Sequence, residues 1–229
     1  MHQPVLAHLE PKDLYRFFEE LCRLPHGSHN TSAASDWVVK FARDRGLRCR
    51  RDEVGNVIVW KDATPGYEDH PTVMLQSHLD MVCVKESGVD HDFTADPLEL
   101  YIEDGFVKAR GTSLGGDDGV GVAMALAICH DDSRIPHPPL ECVFTIDEEV
   151  GMLGARALDC SDLRSHYMLN LDFGIEGWLI TSCAGGTHCR MDSELMVSER
   201  SGTFVTLEIG GAVRRTLRRS HPPGLRQRL

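Results

Sequence analysis

The sequence predicts an α/β domain, with helices alternating with short, nearly all-apolar strands around a mixed, largely parallel sheet. Three observations carry this. Apolar residues recur at helical spacing in separate segments. Between the helices lie β-branched and aromatic runs too short to be helices. Those runs lack polar alternation, which fits strands covered on both faces.

The elements follow in order. Leu14, Phe17, Phe18 and Leu21 lie three or four positions apart, with Pro11 before them and Pro25 after, predicting a first helix. A second helix is predicted over residues 31–45, with Trp37, Val38, Phe41 and Ala42 on one face and Gly46 as its C-terminal glycine. Residues 47–52 and 56–61 read as a hairpin joined around Gly55–Asn56. Residues 73–76 form a short apolar strand, and residues 105–110 another after the turn signal Asp104–Gly105. GVGVAMALAICH, residues 119–130, is apolar all round and predicts a buried helix. Residues 140–146 predict a strand, 151–158 a short helix, and 167–171 and 178–182 two further strands.

Composition bounds the function. The chain has 229 residues, 41% of them hydrophobic, enough for a substantial core. No apolar run reaches membrane-spanning length and the first residues carry no signal-peptide pattern, so a cytoplasmic protein with no membrane partner is expected. Eight scattered cysteines with no C-x-x-C predict reduced thiols, not a disulfide framework or a zinc ribbon. Net charge is −11, but residues 214–229 hold six Arg and no acid, so the preceding body is more acidic still. An acidic body argues against nucleic acid as a partner.

In open α/β sheets, ligands bind beyond the carboxyl ends of the strands. His78 and Asp80 follow the strand at 73–76. Asp147, Glu148 and Glu149 follow the strand at 140–146, and Asp172 follows the strand at 167–171. The buried helix begins at Gly115, Gly116, Asp117 and Asp118. Three adjacent acids ending an apolar run repel one another, and desolvation adds to the cost. A bound cation would offset both. His78 offers an imidazole nitrogen, and Asp80 can accept the other ring N–H. Two Asp at a glycine-rich turn oppose a phosphate and favour a cation. Within the acidic run, one carboxylate can ligate while a neighbour acts as general base on a water, as metal-assisted hydrolysis requires. Imidazole and carboxylate without thiolate suit Zn²⁺, Mn²⁺ or Co²⁺.

The ordered motifs SHLDMV, RGTSLGGDDGVG, TIDEEVGMLGA, LNLD and SCAGG, with DEVGNVIV and VDHDF, resemble the aminoacyl-histidine dipeptidases, or cytosol non-specific dipeptidases. These belong to the dinuclear zinc aminopeptidase and carboxypeptidase superfamily. The resemblance covers about residues 14–211. It implies a three-layer catalytic domain and hydrolysis of dipeptides at two divalent ions, most simply zinc. It implies His78, Asp117, Glu149 and Asp172 as metal ligands, with Asp117 shared by both ions and a cis peptide after it. It implies Glu148 as general base and Asp80 as the catalytic partner that orients His78. A carboxypeptidase or deacylase of the same fold, or a metal-binding chain without turnover, are the alternatives.

The resemblance also implies a longer chain, with a lid or dimerisation domain and a final metal-ligating His that have no full counterpart here. Residues 1–186 are expected to form an incomplete catalytic domain and 187–211 the beginning of the lid. Residues 212–229 read as an Arg- and Pro-rich tail from a frameshifted or truncated gene, or as a genuine basic tail. Impaired activity is expected, and a family-type homodimer would lack most of its lid. His26, His29, His70, His91, His130, His137, His188 and His221 are expected at the surface or in loops. Cys83, beside SHLDMV, is expected to be a packed thiol.

Overall fold

The computed structural model describes residues 4–130, 135–175 and 177–182. The expectations for 187–211, for the tail and for His188 and His221 lie outside these residues.

Helix α1 (Lys12–Cys22) buries Phe17, Phe18, Leu21 and Cys22 on one stripe. Helix α2 (Ser32–Asp44) ends as the sequence predicts. Gly46 adopts φ +66°, its N–H bonds Arg43 O, and Leu47 N–H bonds Ala42 O, the paired closure that a left-handed residue permits. Strands β1 (Arg48–Arg51) and β2 (Val57–Lys61) form the predicted hairpin. Its loop is organised by Asp52, whose Oδ1 accepts the N–H groups of Gly55 and Asn56 at 2.8 Å each.

Strand β3 (Val73–His78) runs two residues further than expected, so His78 is its last residue and does not lie beyond it. Strands β4 (Leu100–Glu103) and β5 (Phe106–Ala109) pair as a separate two-stranded sheet. The sequence reading missed β4, whose tetrapeptide LYIE is strand-like only in company with its hairpin partner. Helix α3 (Gly116–His130) has non-helical dihedrals at Asp117 and Asp118, so its regular part begins near Gly119 as predicted. Being apolar on all sides, it packs on both α1 and β3. Strand β6 (Leu140–Thr145) is buried at every residue, helix α4 (Leu153–Ala157) is short, and strand β7 (Tyr167–Asn170) is exposed throughout. The predicted strand at 178–182 is irregular. No described strand pairs with it, and a strand without a ladder has unsatisfied backbone groups.

The main sheet has the order β1-β2-β6-β3-β7. The pairs β1–β2 and β2–β6 are antiparallel, while β6–β3 and β3–β7 are parallel. The mixed α/β architecture expected from sequence is therefore present. Buried charges are matched. Glu141 in β6 accepts from Trp60 Nε1, from the N–H groups of Arg164 and Ser165, and from Ser165 Oγ. Lys61 Nζ donates to Ile128 O and Cys129 O, closing the carboxyl end of α3. His26 and His137 lie in loops, as expected, but are buried there. Each satisfies Nδ1 on a nearby carbonyl, Leu24 O and Pro138 O respectively, which local chain turns allow without solvent. Among the described residues, no helix is long and apolar enough to cross a membrane.

Candidate metal centre

Parallel pairing sets the site. His78 at the end of β3 is in register with Thr145 at the end of β6. Leu79 N–H bonds Thr145 O, and Leu171 N–H bonds Gln76 O, so the chain leaves β3, β6 and β7 side by side. His78, the run Asp147–Glu149 and Asp172 thereby gather at one end of the sheet. Asp117, at the broken start of α3, comes within 3.0 Å of His78. The Asp117–Asp118 peptide is cis.

The His78 ring is fully buried. Its Nδ1 lies 2.9 Å from Asp80 O and 3.4 Å from Asp80 Oδ1. A carbonyl oxygen only accepts, so Nδ1 carries a proton and Nε2 is the nitrogen that faces the site. The closer partner is thus the Asp80 carbonyl, not the carboxylate expected from sequence. Nε2 is 3.0 Å from Asp117 Oδ1 and 3.8 Å from Asp172 Oδ2. Ligand atoms of His78, Asp117 and Asp172 all lie within 4.8 Å of one another, as do those of His78, Glu148 and Glu149.

The Asp80 carboxylate is buried and satisfied on both oxygens. Oδ1 accepts the N–H of Glu148 at 2.9 Å. Oδ2 accepts the N–H of Glu149 at 3.2 Å and Ser28 Oγ–H at 2.8 Å. Asp147 turns away from its neighbours, with φ +52°. Its Oδ1 accepts His29 N–H at 2.6 Å, and Oδ2 is 3.3 Å from His29 Nδ1. The three adjacent acids are therefore separated: Asp147 serves the 26–30 loop, while Glu148 and Glu149 reach the group around His78.

The electrostatics are those of acids in excess. Burial opposes charge on His78, but Asp80, Asp118 and Asp172 outweigh it and raise the imidazolium to about 9. Burial raises the Asp80 carboxyl, but His78, the Glu148 N–H and Ser28 hold it below its usual value. Burial pushes Asp118 up to about 7, with Asp172 and Asp117 adding to the rise against the pull of His78. Burial and Asp117 raise Asp172 to about 6. Crowded carboxylates driven towards neutrality around one imidazole edge are a donor set that a divalent cation fits.

Residues 74–181 match the model of peptidase family M20/M25/M40. The chain is 42% identical to cytosol non-specific dipeptidase of Escherichia coli strain K12, over 79% of this chain and 37% of the relative. Over these residues the chain is homologous to the M20 peptidases. It is a homologue of cytosol non-specific dipeptidase and spans little more than a third of that relative's length. The chain also superposes on the crystal structure of aminoacylhistidine dipeptidase from Vibrio alginolyticus. That match has a TM-score of 0.74 and 42% identity, covering 76% of this chain and 36% of the other. Aminopeptidase PepT from Bacillus cereus superposes with TM-score 0.59 and 26% identity, over 71% of this chain and 43% of the other.

The six residues given site roles from the sequence lie in this cluster, His78, Asp80, Asp117, Glu148, Glu149 and Asp172, whereas Asp147 of the same acidic run pairs with His29. Sequence reasoning missed Ser28 and His29. It gave Asp118 no role, yet that side chain is buried and accepts His78 N–H at 3.2 Å. The signal for Asp118 was its place beside Asp117 at the start of an apolar helix. Nothing in HGSHN, residues 26–30, marked that loop before its contacts were known.

Proposed function

We propose that this chain is a metal-dependent hydrolase of dipeptides. The observation that carries this is the convergence of His78 Nε2 with carboxylates of Asp117, Asp172, Glu148 and Glu149 at the parallel strand ends, in a homologue of a dipeptidase. His78, Asp117, Glu149 and Asp172 would hold two divalent ions, zinc or alternatively manganese or cobalt. When bound, such ions supply Lewis acidity towards the peptide carbonyl and lower the pKa of water.

The chain's own residues then divide the work. Asp80 O keeps a proton of His78 on Nδ1 and so leaves Nε2 as the nitrogen whose lone pair would ligate a cation. Asp80 carboxylate fixes the backbone of Glu148 and Glu149. Glu148 takes a proton from the attacking water on a carboxylate oxygen and returns it to the departing amine. Asp117, whose side chain is 59% exposed, meets both His78 Nε2 and solvent. A cytoplasmic setting is supported by free thiols at all six described cysteines.

The test is the metal content of the purified chain by elemental mass spectrometry, with dipeptide hydrolysis measured on the same sample. Near two equivalents of metal with turnover that disappears in Glu148→Ala supports the reading. Metal without turnover reduces it to metal binding, and absence of both overturns it.

A further inference from the structure

We propose that the loop at residues 26–30 is a positioning element for the acidic turn: Ser28 locks the Asp80 carboxylate and His29 withdraws Asp147, so that of the turn's three acids only Glu148 and Glu149 face His78. The inference rests on the metal-binding reading above and concerns residues that reading does not use.

The loop is tied to the segment bearing Asp80. Met81 N–H bonds His26 O at 3.1 Å, Ser28 N–H bonds Met81 O at 3.3 Å, and Gly27 and Met81 form a parallel bridge. Contact is close, since a Cβ on Gly27 would sit 2.4 Å from Cys83 Sγ. Asn30 N–H bonds Gly27 O at 2.8 Å, tightening the turn.

From this base the loop reaches two carboxylates. Asp80 receives two backbone N–H groups from the acidic turn, one on each oxygen. Ser28 Oγ is the hydroxyl that adds a bond on Oδ2 from outside the turn. Without it, Oδ2 keeps only the longer bond, 3.2 Å from Glu149 N, and the carboxylate can rotate. Rotation would shift both glutamates and loosen the 3.4 Å approach to His78 Nδ1.

His29 acts on the first acid. Its N–H and ring nitrogen take one oxygen of Asp147 each. Asp147 is buried, and among the described residues it joins neither group of converging ligand atoms. Another carboxylate facing inward would add like charge to a cluster that already holds those of Asp117, Asp172, Glu148 and Glu149. The pair with His29 removes it.

The test uses the full chain and zinc, with affinity measured by competition against a chromophoric chelator and folding followed by thermal melting. Ser28→Ala is expected to bind zinc about tenfold more weakly with an unchanged melting temperature, as when a group supporting a metal ligand is removed. Ser28→Thr, which keeps the hydroxyl, is expected to restore affinity to within about threefold of the original. Wild-type affinity in Ser28→Ala overturns this inference while leaving the metal site standing. Equal loss in Ser28→Ala and Ser28→Thr, tracking a lowered melting temperature, also overturns it, since the loop would then be merely structural. If the unsubstituted chain binds no zinc, the metal-binding reading falls and takes this inference with it.

Discussion

Asp80 caps the backbone of Glu148: its Oδ1 accepts that residue's N–H at 2.9 Å. One buried residue therefore sets both the edge of His78, through its carbonyl, and the turn that carries two acids, through its carboxylate. Asp80→Asn is expected to weaken metal binding about 10–100-fold, because an amide puts a donor where donors already converge. Chelator competition on the purified variant measures it. Unchanged affinity would show that the Asp80 carbonyl alone orients His78.

Glu148→Gln separates binding from chemistry. The amide keeps the size of the side chain but cannot take a proton. Hydrolysis is expected to fall about 10²–10⁴-fold while metal content stays within error. Treating the unsubstituted chain with a chelator should abolish turnover, and added zinc should restore it. Loss of metal in Glu148→Gln would reassign Glu148 from base to ligand.

Much of this was legible in sequence because strand ends announce themselves. LECVFTI stops at Asp147, and His78 ends β3 while Glu148 and Asp172 follow the ends of β6 and β7, the two strands that pair with β3 in parallel. The illegible parts depend on contacts between distant segments. Ser28 and Asp80 are 52 positions apart, and His29 and Asp147 are 118 apart. No local spacing encodes such pairs. Strand β4 was hidden because a tetrapeptide becomes a strand only through its partner. The strand expected at 178–182 failed for the converse reason: apolar residues favour extended backbone, but pairing decides it.

Glu19 makes acid stability specific. Burial pushes its carboxyl up, but the N–H groups of Leu6 and Val5 and the Arg23 guanidinium outweigh this and hold it below its usual 4.5. A depressed folded value means stability that is complete above the ordinary value and lost as pH falls through the folded one. Glu19→Gln is therefore expected to melt lower than the unsubstituted chain at pH 7. The gap should shrink as pH drops below 4.5. Melting curves between pH 7 and about pH 3 decide it, and a gap independent of pH would mean that Glu19 acts through shape and not charge.

Gly154 tests how tightly the back of the acidic turn is held. A Cβ there would lie 2.3 Å from Asn56 Oδ1, 2.5 Å from Ile146 O and 2.7 Å from Ile146 N. Asn56 is buried, donates to Gly154 O at 2.9 Å and accepts Ile146 N–H at 3.1 Å, joining the β1–β2 hairpin to the segment between β6 and α4. Two of the three close atoms are backbone, so they cannot swing aside. Gly154→Ala is expected to cost about 1–3 kcal/mol by forcing this clamp open, at about 2–4 °C of melting temperature per kcal/mol for a chain of this size. Gly174→Ala is the control, since nothing lies within 4 Å of its added carbon, and it should change stability by less than about 0.5 kcal/mol. Equal melting temperatures for the two variants would show that the Asn56 clamp yields freely. The acidic turn would then depend on Asp80 and the 26–30 loop alone.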